Sequence, residues 1–157
     1  MLRAIAFLSV LPAIALPGCG TNNEMCTLIG CASSLEVRFT GASDKAGRYQ
    51  VELVADGVPS ACQITLPHDC SVTPTCSAAE LPWRLMLSGC ALTTGQRIEG
   101  FVFDNRAPTS VDFVVRRDDI AVGGDNLHPQ YRESHPNGPE CEPVCRTAPR
   151  FETAIAP

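Results

Sequence analysis

The sequence predicts an all-β fold: a disulfide-stapled β-sandwich of about seven short strands, immunoglobulin-like or prealbumin-like, with a Pro/Cys-rich C-terminal tail. Three observations predict it. Apolar residues recur with a period of two in short runs, Gly, Pro and Asp-Asn turn signals divide those runs at roughly regular spacing, and the mature chain holds no convincing amphipathic helix. At 157 residues, 45% hydrophobic and 18% charged, the chain suits one folded domain with a real core.

The runs follow in order. LEVRFT (Leu35 to Thr40) sets Leu35, Val37 and Phe39 on one face and Glu36, Arg38 and Thr40 on the other, as a half-buried strand does. YQVELVADG turns Tyr49, Val51 and Leu53 inward and stops at Asp56-Gly57, a hairpin-turn dipeptide. These two read as antiparallel neighbours. CQITLP puts Cys62, Ile64 and Leu66 on one side, and the flanking Pro59 and Pro67, which lack a backbone donor, confine it to a short strand or an edge. WRLMLSGC offers Trp83, Leu85 and Leu87 and ends at Gly89.

RIEGFVFDN alternates Phe101 and Phe103 against Ile98 and Val102; being apolar on both faces, it belongs in the middle of a sheet. SVDFVVRRD turns Val111, Phe113 and Val115 inward, and DIAVGG carries Ile120 and Val122. From His128 to Pro157 six prolines interrupt the chain, so an irregular loop locked by cysteines is expected, then one more strand alternating Phe151, Thr153 and Ile155. Trp83 is placed to pack on a disulfide as in immunoglobulin domains. No tyrosine stands two residues before a late-strand cysteine, so only the architecture of that family carries over.

The N-terminus reads as a targeting segment. Met1 to Arg3 is a short positive region and Ala4 to Leu16 an apolar run too short for a permanent bilayer span. LPGC follows, and Leu16, Gly18 and Cys19 resemble the bacterial lipobox, which places a leucine three residues before an acylated cysteine and a small residue just before it. The resemblance to bacterial lipoproteins implies a diacylglycerol on the Cys19 sulfur, cleavage before Cys19, and a membrane anchor of two or three acyl chains. It divides the chain into a signal peptide (1–18), a polar tether (19–25) and a single β-sandwich domain (26–157) that includes the irregular C-terminal segment 128–157. Gly20, next after the cysteine where an aspartate would retain the protein, resembles the outer-membrane default of lipoprotein sorting. The implied location is the cell envelope, at the outer rather than the inner membrane. PNGPECEPVC resembles a closing segment of small cysteine-rich bacterial lipoproteins, a likeness that brings no function with it.

Of nine cysteines, Cys19 stands apart and eight remain: Cys26, Cys31, Cys62, Cys70, Cys76, Cys90, Cys141 and Cys145. An even number in an exported chain reads as disulfides. Connectivity stays open, with Cys62–Cys70 and Cys76–Cys90 the plausible short closures and the other four pairing locally or stitching the two chain ends together. CTLIGC and CEPVC would together offer four thiolates to zinc, but neither is CxxC and export favours oxidation. His68, in HDC, reads as a turn residue.

No catalytic motif is present: no GxSxG, no HExxH, no phosphate-cradling loop, no EF-hand. His128 and His135 flank Tyr131 and Glu133, better read as a solvated loop than as an acid–base or metal cluster. Asp118, Asp119, Asp125 and Asn126 carry oxygens that calcium accepts, the weak metal candidates of the chain, against the simpler reading of two polar turns around a short strand. No cofactor is expected. A net charge of −5 with scattered basic residues argues against nucleic acid. The expected function is therefore a lipid-anchored, non-catalytic envelope protein, a binding or structural surface module holding the membrane through Cys19 and a protein or glycan partner through its folded domain. The competing class is a small periplasmic metal-dependent or hydrolytic enzyme, centred on the His128 to Glu133 region or the Asp118 to Asn126 loop.

Overall fold

Alternating strands dominate the computed structural model, which describes residues 26–77, 81–91 and 95–157. The expected signal peptide, Cys19 and the tether before Cys26 lie outside the described residues. In chain order the strands are β1 (Ser34–Gly41), β2 (Gly47–Ala55), β3 (Val58–Leu66), β4 (Thr75–Ser77), β5 (Trp83–Ser88), β6 (Arg97–Asp104), β7 (Val111–Arg117), β8 (Ile120–Leu127), β9 (Arg132–Ser134), β10 (Cys145–Thr147) and β11 (Phe151–Ile155). The described residues include no helix. One sheet runs β5-β6-β1-β10-β9, with β11 also paired to β1, and the other runs β4-β3-β2-β7-β8. The protein is an all-β sandwich. The strands beyond the expected set are β4, β9 and β10, each three residues long, too short for alternation to mark them. Segment 128–157 is thus less irregular than expected.

All but three of the residues expected to face inward are buried. Leu35, Val37 and Phe39 of β1 face Tyr49, Val51 and Leu53 of β2, and Val111, Phe113 and Val115 of β7 join them. Phe101 sits among four rings, meeting Phe39, Trp83, Phe103 and Phe113 edge-on with centroids 5.0–6.0 Å apart, the arrangement that aromatic quadrupoles favour. Trp83, expected against a disulfide, packs on Phe101 and donates its indole N–H to Ser60 Oγ at 2.7 Å. The exceptions are Leu87, half-buried near the end of β5, Phe151, half-buried at the start of β11, and Ile120, 68% exposed. A bulge in the β7–β8 pairing skips Val122 and turns that residue, rather than Ile120, into the core.

Four expectations are corrected. β1 and β2 are not neighbours in one sheet; the chain crosses between sheets after Gly41, and the crossover is pinned by Tyr49 Oη donating to Lys45 O (3.0 Å) and Ala42 O (3.3 Å). Each strand has one apolar face, and facing each other across the core buries both faces. β3 is nine residues long and interior rather than an edge, because Pro59 lies outside the stretch Ala61 to Gln63 that β4 covers. Within β6, Ile98 shares a face with Phe101 and Phe103 instead of opposing them, since a bulge leaves Glu99 without an opposite residue. The bulge needs Gly100 (φ 137°): a Cβ there would lie 1.9 Å from the Val37 carbonyl oxygen.

The fourth correction is the short disulfides. Cys62 points into the core from β3 and meets Cys76 directly opposite on β4, with Cα atoms 4.0 Å apart, so it does not reach Cys70 in the loop beyond the strand. Cys70 instead joins Cys90, tying the β3–β4 loop to the turn after β5. The end cysteines stitch: Cys26–Cys141 and Cys31–Cys145, each with Cα atoms 5.8 Å apart. The last strand seals the far side of the sandwich. β11 runs parallel to β1, and Ala156 N donates to Val122 O of β8 at 2.7 Å, linking the two sheets.

Candidate functional site

The acidic candidates are held apart by the strand that carries them. Asp118 and Asp119 form the β7–β8 turn, both at positive φ, where Asp118 Oδ1 accepts the Arg48 N–H (2.8 Å) and Asp119 takes the Arg48 guanidinium (2.7 Å). Asp125 and Asn126 sit near the other end of β8, roughly 20 Å away at the rise of a strand. Asn126 caps Asp112 with its side-chain amide, and Asp125 Oδ1 accepts the Asn126 N–H (2.8 Å). The four residues make two separate turn and cross-strand arrangements, not a calcium cage.

The histidine region likewise divides. Tyr131 Oη donates to Pro108 O at 2.9 Å; burial, with the Asp56 charge, pushes its phenol up to about 12, so it remains a donor at neutral pH. Glu133 pairs with Arg146 across β9 and β10 (2.9 Å), while His128 and His135 are exposed. Among the described residues, the one group of three potential metal ligands is His68, Cys70 and Cys90, all within 4.8 Å. Both sulfurs there are spent on each other in a disulfide, so they offer a metal no thiolate. His68 lies in a turn, its backbone N–H and C=O held by the Gln96 side chain.

What sequence reasoning missed is the difference between the two outer faces. The β1–β6 face is covered with matched charges: Arg38 with Glu36 and Glu99, Arg84 with Asp104 (2.8 Å), and Arg150 with Glu36 (3.1 Å). The face of β2, β3 and β7 holds an open depression of about 740 Å³. Val54, Pro59, Ala61 and Val114 line it with aliphatic atoms, and acids stand among them: Glu52 between Ala61 and Val114, Asp112 opposite Val54, and Asp125 from β8. Arg116 reaches Glu52 at 3.6 Å and is the one cation paired with these acids among the described residues. The signal available in sequence was the outward positions of the strands: Val54, Ala61 and Val114 stand where a solvated strand carries polar residues.

At the sandwich end where β1 begins, a buried amide organises the loops. Asn137, 6% exposed, accepts from Thr27 Oγ1 (2.9 Å) and Ile29 N (2.7 Å) through Oδ1, and donates from Nδ2 to Ile29 O (3.0 Å) and Glu142 O (2.8 Å). All four of its hydrogen-bond sites toward the protein are used, which is what a buried amide requires. Next to it Asp56, at positive φ in the β2–β3 turn, accepts from Thr109 N, Thr109 Oγ1 and Ser110 N. Desolvation pushes the Asp56 carboxyl up, but those donors and the Arg106 charge outweigh it and hold its pKa below the ordinary value. No known protein family, curated protein or solved structure matches this chain.

Proposed function

We propose that the protein is a lipid-anchored, non-catalytic module of the cell envelope that binds a protein partner through the outer face of β2, β3 and β7. The anchor reading rests on the lipobox-like LPGC and on the cysteine bookkeeping. Every cysteine among the described residues is paired in one of four disulfides, which leaves Cys19 alone for another chemistry. Disulfides at this density belong to an oxidising, exported setting.

The single observation that carries the binding reading is an open depression where aliphatic and acidic side chains alternate with one paired cation, on a sandwich whose other outer face is saturated with ion pairs. Apolar side chains left open among acids on one sheet face mark an interaction site. These acids select a partner that sets basic residues beside apolar ones. The depression presents aliphatic side chains and no exposed ring for a sugar to stack on, which favours a protein over a glycan. Two measurements test the proposal. Intact mass of the protein extracted from envelopes should give a chain beginning at Cys19 and carrying a diacylglycerol; an unmodified N-terminus overturns the anchor. Crosslinking in intact cells through a photoreactive residue at Val54 should trap one protein partner, and trapping nothing above an Arg84 control on the charged face overturns the binding role.

A further inference from the structure

Two large apolar side chains are held out of the fold beside the point where the tether enters. Leu28 is 100% exposed and Ile29 54%, and they are sequence neighbours in the loop from Cys26 to Cys31. Exposed single leucines need no explanation. Here the loop has been given no freedom to hide them. Cys26 and Cys31 bond to Cys141 and Cys145 at its two ends, and Asn137 fixes Thr27 and both backbone groups of Ile29 from within. The clamp grips the polar atoms of the loop and leaves the Leu28 side chain wholly in solvent.

We infer that the Leu28–Ile29 tip is a second, protein-borne membrane contact, which inserts into the lipid interface next to the acyl anchor. The inference rests on the lipid-anchor reading for its setting: the seven steps from Cys19 to Cys26, even fully extended, keep Cys26 within about 25 Å of the bilayer surface. A loop already ordered by two disulfides and a buried amide loses little conformational freedom when it docks, so even two apolar side chains suffice to hold an orientation. The nearby exposed acids Glu140 and Glu142 make apolar insertion, rather than attraction to anionic lipid, the source of the contact. Docking there stands the sandwich on the end that carries Cys26 and Cys31, with the Asp118–Asp119 turn pointing away from the membrane.

The test uses the full chain purified from envelopes and reconstituted into phosphatidylcholine vesicles that contain nitroxide-labelled phosphatidylcholine. Leu28→Trp reports the tip and Ile120→Trp, at the start of β8, is the reference; Trp83 is buried and supplies a constant background. On reconstitution the Leu28→Trp emission should shift to the blue and be quenched by the labelled lipid, with neither change for Ile120→Trp. Leu28→Trp emission as red and as unquenched as that of Ile120→Trp overturns the inference. Intact mass of the same samples reads the lipid separately: quenching without a lipid on Cys19 supports the tip and sinks the anchor, and lipid without quenching does the reverse.

Discussion

Trp83 of β5 donates its indole N–H to Ser60 Oγ of β3 at 2.7 Å, and Ser60 Oγ passes a hydrogen bond to Ser77 O of β4 at 2.6 Å. This relay crosses between the two sheets inside an apolar core, where a donor left alone is costly. Ser60→Ala strands the indole N–H without making a large cavity and is expected to destabilise by about 1–3 kcal/mol. A Ser60→Ala, Trp83→Phe cycle read by urea unfolding should show a coupling above about 0.5 kcal/mol. Strict additivity would mean that the relay contributes nothing as a unit.

The two end disulfides interleave along the chain and bridge the same two segments, and their contributions should therefore not add. Cys26–Cys141 spans 115 residues and Cys31–Cys145 spans 114. Alone, either closes a loop of the size that restricts the unfolded chain by about 5 kcal/mol; with one in place, the other closes a ring of roughly ten residues, worth about 3 kcal/mol. Replacing Cys31 and Cys145 by alanine should cost about 3 kcal/mol, and replacing all four end cysteines about 8 kcal/mol. Urea unfolding of the two single-pair variants and the four-alanine variant decides it: a four-alanine loss equal to the sum of the single-pair losses would contradict the chain-entropy account.

Thr153 lies on the inward side of β11, and its Oγ1 is buried with no hydrogen-bond partner among the described residues. Valine has nearly the same shape without the hydroxyl. Thr153→Val is expected to raise stability by about 1 kcal/mol, since the desolvation of an unpaired hydroxyl is removed. Thermal or urea unfolding measures this directly, and a loss of stability would show that the hydroxyl is paired in solution.

Alternation made the two-layer sandwich legible, because a period of two and a buried face are the same fact seen in sequence and in space. It could not say which strand lies beside which. Leu35 to Phe39 and Tyr49 to Leu53 have the same pattern whether they pair edge to edge or face each other, and they face each other. Nor does it register an inserted residue: Glu99 shifts the phase of β6, and only the crowding at Gly100 explains why a glycine stands there. The disulfide count was readable, whereas the partners of Cys62 and Cys70 depended on β4, a strand too short to leave a period. The depression on β2, β3 and β7 was hidden for a related reason, since Val54, Ala61 and Val114 gather only once the order of three strands is known.

Asp56 should leave a mark on the acid limb of stability. Its folded pKa is depressed below the ordinary 3.8, so its contribution is fully present above that value and is lost as the pH falls through the lower folded pKa. Asp56→Asn keeps a residue that tolerates the positive φ but has no charge to titrate. The difference in stability between wild type and Asp56→Asn should be constant near neutral pH and shrink as the pH falls below 3.8. Unfolding measured at a series of acidic pH values tests this; a difference independent of pH would assign the turn's stability to its backbone alone.

The proposed partner surface can be altered without touching the core. Val54, 39% exposed, lies on the outward side of β2, and Asp125 is an exposed residue of edge strand β8 that lines the depression. Val54→Lys with Asp125→Lys puts two cations where the proposed partner's basic residues would approach, so charge repulsion is added to the loss of apolar contact. Each exposed substitution should change folding stability by no more than about 0.5 kcal/mol, so that any loss of binding is not a loss of fold. The double variant should crosslink far less of the partner in intact cells, and the wild-type complex, once isolated, should weaken as salt is raised, as an acidic face meeting a basic partner requires. An undiminished crosslink yield with the double variant would remove this face from consideration, because no partner of the proposed chemistry tolerates both changes.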